Sequence, residues 1–408
     1  MKSTFLRLTL ISFLFVLFFP YLTSAETKIF IEEYTYPASE IDSKVSCRAI
    51  ALEQVKRRLQ EKLGTYLESH TEVSNFQLTK DKITSLTAGI VLAEILEEKW
   101  DGKEYWLKAK IAADPNGVTK TIDDFRKDLQ KTRDLERVRA KADEYLRENE
   151  QLRKELLSTK GNIEKLKKYN ENIDKLRATD WYEKGSSIGV TNKEGAVEAF
   201  SKAIELNPKM AEAFVLRGTV YGHLLRHREA LDDFNKAIEI IETLPSKEGI
   251  SMAYSLRAIE QARINNYEKA INDSNRAIRL CPSSDGSQLS FAYVSRGYSY
   301  AMSGKNQEAL LDFDKALSSA PKSEVAFIVY QYRGHVYFNM GNFKQAINDY
   351  EMHIKLSPFK AEAFVYYNLG CAYAELGNSE KAIDNTKISA RLGDPRAQQV
   401  LRGVNIEW

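Results

Sequence analysis

Few side chains in this 408-residue sequence stand at the spacings that chemistry needs. His223 and His227 are four apart, which on one helix would turn both imidazoles to the same face, as zinc proteases require. That pattern also needs a Glu directly after the first His to serve as base, and Leu224 stands there instead. His227 also falls near a turn. No Gly-rich phosphate loop, Ser-His-Asp set or nucleophile elbow occurs. Asp232, Asp233, Asp312 and Asp314 recur where second helices of a repeat are expected, and there they suit a solvated face. Cys47, Cys281 and Cys371 make no disulfide framework. The expectation is a protein that is not an enzyme and has no catalytic residues, metal site or cofactor. Its work would be binding.

The elements that would carry such binding are repeats. Six times a small residue is followed by Ala about twelve positions on, and a mostly bulky residue comes four later. Gly218, Ala230 and Phe234 form one such set, Gly297, Ala309 and Phe313 another, and Gly334, Ala346 and Tyr350 a third. A fixed period of this length marks an all-α solenoid, which presents a groove rather than a pocket. Small residues are needed where two helices cross closely, because a larger side chain would force the pair apart.

With Trp181, Gly185, Tyr254, Ala258, Tyr366 and Gly370 added at matching offsets, the pattern resembles the tetratricopeptide repeat. The resemblance implies helix-turn-helix units over residues 179–393, then a capping helix and tail over 394–408. It also implies a concave face built from the first helix of each unit. On that face the candidate groove residues are Arg263, Phe291, Val294, Tyr298, Gln331, His335, Phe338 and Tyr367. The Lys and Asn pair with which some family members clamp a carboxylate is missing; Val215 and Thr219, or Gln331 and His335, stand in its place. An apolar stripe with Arg263 as an isolated cation suits a protein or peptide partner.

Residues 1–25 read as a signal peptide: Lys2 and Arg7, an apolar run from Leu8 to Phe19, then Thr23-Ser24-Ala25 ahead of a cut. Export to the periplasm follows as the expectation, with an uncleaved membrane anchor as the alternative. Loss of Lys2 and Arg7 would bring the net charge from +2 to about zero, which excludes an electrostatic footprint for nucleic acid.

Residues 26–115 read as a small α+β domain. A strand at Ile29–Ile31 precedes a helix from Ser43 to Glu68 that buries Leu52, Val55, Leu59 and Leu63 and keeps Lys56, Arg57 and Lys62 wet. A short helix is expected over 81–87. Asp101-Gly102 predicts a two-residue hairpin turn that sets Leu96 opposite Leu107. The run from Ala49-x-Ala51-Leu52 to Tyr105-Trp106-Leu107 resembles the N-terminal domain of the flagellar H-ring assembly protein, which implies an envelope setting.

Residues 119–178 form a charged helix with heptads through Leu135, Ala142, Asn149 and Leu156, and through Val138, Tyr145 and Leu152. Sustained heptads favour a coiled coil and a homodimer, with a break at Gly161; two helices folding back on the small domain suit the same pattern. Together these make a multidomain chain: small α+β domain, coiled-coil-like helix, all-α solenoid. Its expected role is a periplasmic scaffold for a partner protein in cell-envelope assembly, or else a structural subunit of a multimeric envelope complex.

Overall fold

The computed structural model describes residues 27–70, 92–114, 129–158, 162–189, 191–282, 285–320, 325–357 and 362–408. The expected signal peptide, the short helix over 81–87, the break at Gly161 and the helix-ending Pro321 and Pro358 lie outside these residues.

Strand β3 (Glu104–Ala113) is the spine of the N-terminal unit, lying between β1 (Lys28–Pro37) and β2 (Glu94–Trp100) in an antiparallel sheet. Its alternate residues Tyr105, Leu107, Ala109, Ile111 and Ala113 are buried. They pack on helix α1 (Lys44–His70), whose Val55, Leu59 and Leu63 are fully buried. The hairpin is present, but its turn differs from the expected one. Trp100 pairs with Tyr105, and the Asp101 carboxylate accepts hydrogen bonds from the backbone N–H groups of Lys103 and Glu104. Only Gly102 has a positive φ, so the two left-handed residues of a type I′ turn are not both present. The register shifts at Leu96, between Ile95 and Glu97, so Glu98 rather than Leu96 stands opposite Leu107.

The charged segment is a helical hairpin within one chain. Helix α2 (Leu129–Ser158) reverses into α3 (Ile163–Ile188), and the Asn149 amide donates to the Tyr169 carbonyl across the pair. The first half of the expected seam is buried in cis: Leu135, Val138, Ala142 and Leu156 are at most 7% exposed. Reversal of the chain then changes the register. Tyr169, Asn172, Ile173 and Leu176 face inward, while Ile163 and Leu166 lie exposed. Leu135, Val138 and Ala142 are therefore already covered, and an intermolecular coiled coil through them has no free seam.

The wet face expected of α1 is corrected at Lys56, while Lys62 is exposed as expected. Lys56 is 5% exposed, and its ammonium meets Asp180 and Glu183 of α3 at 2.9 and 2.5 Å. Arg139 of α2 lies 2.7 Å from Glu53 and 3.0 Å from Glu183. One apolar core continues from Tyr36 through the hairpin to Val220, so the N-terminal unit is packed onto the first repeats rather than held away from them.

Helix α3 runs unbroken from the hairpin into the first repeat, where it pairs with α4 (Lys193–Leu206). The following pairs are α5 (Ala211–His223) with α6 (His227–Thr243), and α7 (Ile250–Arg263) with α8 (Tyr267–Leu280). Next come α9 (Gly286–Met302) with α10 (Asn306–Ser319), and α11 (Val325–Asn339) with α12 (Phe343–Leu356). Helices α13 (Ala363–Glu375) and α14 (Ser379–Arg391) make the last pair, and α15 (Pro395–Gly403) caps the end.

The crossings are as tight as the small residues imply. A Cβ on Gly185 would lie 2.7 Å from the Phe200 ring, and one on Gly297 2.8 Å from Phe313. The third repeat solves the same contact in reverse: Ala258 carries the extra methyl, and Ser274, fully buried, replaces the aromatic ring. Ser274 then shares a 3.0 Å hydrogen bond with Ser295 of the next repeat.

Two expectations follow. Gly297→Ala should destabilise the protein by about 1–3 kcal/mol, the usual cost of overpacking, read as a lower denaturant midpoint. The second concerns the Lys56 cluster. Burial pushes the Asp180 carboxyl up, but Lys56 outweighs it and holds the group below its ordinary range; for Glu53, Arg139 and Lys56 do the same. A carboxyl depressed on folding adds stability that is fully present above its unfolded pKa and is lost as pH falls through the folded value. The denaturant midpoint should therefore fall with acidification below about pH 4. Lys56→Ala, which leaves Arg139 as the cation on the buried Glu183 and takes the ammonium from Asp180, should cost up to about 3–5 kcal/mol at neutral pH. An unchanged midpoint in that variant would contradict the assignment.

Candidate partner groove

The first helices of neighbouring pairs, α5, α7, α9, α11 and α13, pack side by side, each turning its small crossing residue toward its own second helix. Residues on the other side of these helices form a continuous face.

The candidate residues fare differently on it. Phe291, Tyr298, Gln331, Phe338 and Tyr367 are half-buried, and His335 is exposed. Val294 is 1% exposed within the core of the fourth repeat, so it offers nothing to a partner and leaves the set. Tyr298 leans on Tyr332 with ring centroids 5.0 Å apart, and Phe338 meets Phe343 edge to face at 5.5 Å. Tyr367 packs into the cap cluster of Ala390, Ala397 and Leu401, with the Arg396 guanidinium 4.5 Å over its ring. Tyr298, Phe338 and Tyr367 thus each have one side fixed by the solenoid, and side-chain entropy is spent before any partner arrives.

Arg263 is not isolated. Its guanidinium meets Glu260 at 2.5 Å, and the other oxygen of Glu260 lies 2.7 Å from Nδ1 of His227. Glu260 itself is 4% exposed, set against Gly222, where a Cβ would come within 2.5 Å of its carboxylate. His223 and His227 are on different helices, α5 and α6, and so do not share one helical face. His223 and His335 each keep an exposed side, yet desolvation by the packed helices lowers the pKa of both, and Arg263 lowers that of His223 further. Tyr332, not singled out in the sequence, lies between Tyr298 and Phe313 and packs against the core of the fourth repeat. Burial and the neighbouring Tyr298 raise its phenol to about 12, keeping it a neutral hydrogen-bonding group. No cluster of metal-ligating side chains forms among the described residues.

Behind the groove runs a ladder that the sequence reading mistook for solvated charge. Arg217 grips Asp233, Arg257 Asp273, Arg296 Asp312 and Arg333 Asp349, each through paired bonds of 2.6 to 2.8 Å. The Asp partners are at most 6% exposed. The remaining nitrogen of each Arg reaches back one repeat, to Ser201, Asn235, Asn275 and Asp314 in turn. Asp233 and Asp312 are therefore buried ties between helices; Asp232 alone of the four noted acids is exposed without such a bond in the ladder. The signal was legible: an Arg just before the small residue and an Asp sixteen positions later, four times over.

Residues 209–283, 329–359 and 365–385 match the tetratricopeptide repeat family. Human tetratricopeptide repeat protein 6 is 30% identical over 211 residues, which is 51% of this chain and 37% of that protein. The chain thus spans little more than a third of that relative. A tetratricopeptide repeat protein from Parabacteroides merdae superposes with a TM-score of 0.43 at 19% identity, over 66% of this chain and 98% of that one. The Cut9-Hcn1 hetero-tetramer of APC/C gives a TM-score of 0.48 at 14% identity, over 89% of this chain and 72% of that one. The matched stretches carry tetratricopeptide repeats.

Arg296→Ala should be severe, because it leaves the buried Asp312 carboxylate with only Lys315, 3.9 Å away, as a cation. A loss of about 3–5 kcal/mol is expected in chemical denaturation. Arg296→Lys should recover only part of it, since an ammonium cannot reproduce the two parallel bonds and the reach to Asn275.

Proposed function

We propose that this chain is an exported, periplasmic scaffold that holds an apolar stretch of a partner protein along repeats three to six, during assembly of the cell envelope. The observation that carries the groove is the pair of pre-packed aromatics Tyr298 and Phe338, each half-buried, with Phe291 half-buried on the same helix as Tyr298. Rigid aromatic anchors beside a single guanidinium suit an amphipathic helix or extended peptide whose apolar residues cover the rings. Arg263 would add orientation rather than strength, since Glu260 already neutralises it. Export rests on the charged start, apolar run and small residues of positions 1–25, and the envelope setting on the resemblance of the N-terminal domain.

The alternative, a structural subunit assembled through the α+β domain and the charged helix, keeps the domain as its contact, because Leu135, Val138, Ala142 and Leu156 of α2 are buried within the chain. Light scattering should report the mass of one chain.

Crosslinking in intact cells should capture a partner that the double variant Tyr298→Ala, Phe338→Ala no longer holds, while its helical circular dichroism is retained. A partner held equally well by the variant would exclude this groove. Fractionation should find the chain outside the cytoplasm, and a cytoplasmic chain would remove the export part alone.

A further inference from the structure

Helix α2 carries three cations at a spacing of four, Arg133, Arg137 and Lys141, on the side away from its buried Leu135, Val138 and Ala142. Spaced this way they form one ridge along the helix. Across from them, three successive repeats each present an acid at the N-terminal end of a first helix. Glu212 is in the first turn of α5, Glu248 stands just ahead of α7, and Asp285 caps α9 by accepting from the Gln288 backbone. Negative charge is favoured at these ends, where backbone N–H groups point outward.

The two rows interlock. Arg133 pairs with Asp285; Arg137 lies 2.9 Å from Glu212 and 3.6 Å from Glu248; Lys141 lies 3.0 Å from Glu212. Glu212 and Asp285 are each 8% exposed. Between the rows lies a cleft of about 320 Å³, with Arg137 and Lys141 on one wall and Val215, Leu244 and Met252 on the other. Val215 belongs to the groove side of α5, so the cleft is the N-terminal continuation of the groove. Close helix-on-helix packing joins α2 to α3, whereas its link to α5, α7 and α9 is made by long charged side chains.

We propose that the ridge and the acidic row form an electrostatic latch that closes the N-terminal end of the groove over Val215 and Met252, leaving the remainder open. Release moves repeats two to four away from α2 about the junction of the first and second repeats, and exposes Val215 and Met252 as further apolar anchors. A partner that lengthens its hold along the groove must supply charges that replace the latch: a helix bearing Lys or Arg at the same spacing of four. This consequence for binding rests on the partner-groove reading above; the latch itself does not.

The test therefore uses no partner. Met252→Cys is introduced into the full chain with Cys281 and Cys371 changed to Ser, Cys47 being fully buried. Maleimide labelling of the new thiol measures opening of the cleft. Arg137→Glu with Lys141→Glu should speed labelling about tenfold, and adding Glu212→Lys should slow it again by restoring opposite charge. A rate unchanged by charge reversal, with helical circular dichroism intact, overturns the latch. If the reversed variant loses its helices, salt decides. In the chain with native charges, labelling that accelerates between ~0.05 and ~1 M salt supports the latch, and a flat rate overturns it.

Discussion

The rest of the molecule depends on where the Lys56 ammonium is placed. A lysine on a helix with an apolar face on its other side would ordinarily stay in water. Here α1 buries it against Asp180 and Glu183, while Arg139 closes the cluster through Glu53 and Glu183. Removing so many charges from water costs free energy that only mutual pairing offsets, and pairing requires three helices in one register. The cluster therefore acts less as a source of stability than as a specification. It fixes α1 on the hairpin, and the hairpin on the solenoid, because α3 belongs to both.

From that junction the solenoid is propagated by two devices that divide the work. Small residues at the crossings set how closely each pair of helices approaches, with an aromatic ring filling the gap beside Gly185, Gly218, Gly297 and Gly334 and Thr386 beside Gly370. The Arg–Asp ladder sets how one pair sits on the next, since each guanidinium spends two nitrogens within its repeat and one on the repeat before. The third repeat shows that these constraints are physical rather than literal. Ala258 with Ser274 keeps the same helix separation by moving bulk from one side of the contact to the other.

A rigid frame has a direct bearing on binding. Because Tyr298, Tyr332 and Phe338 are held on one side by neighbouring rings, a partner pays little to order them. The polar centre made by Glu260, Arg263 and His227 is internally paired, which leaves shape and apolar contact to select the partner. At the N-terminal end the same groove meets α2, where recognition is governed by charge instead.

The repeats, their crossing residues, the capping helix and the buried faces of α1 and β3 were all readable from residue order, because helix and strand periodicities are local. The Arg–Asp ladder was readable too, yet looked like solvent-facing charge, since one residue type serves both ends and only its partner distinguishes them. What tertiary structure alone decided was the use of the charged helix. Its heptads specify an apolar stripe without saying whether a second chain or the returning α3 covers it. Likewise Val294 becomes a core residue only because the next repeat, through Val329 and Val336, stacks over it. Lys56, Arg133 and Arg137 read as surface charge until distant carboxylates, more than seventy positions away along the chain, are folded against them.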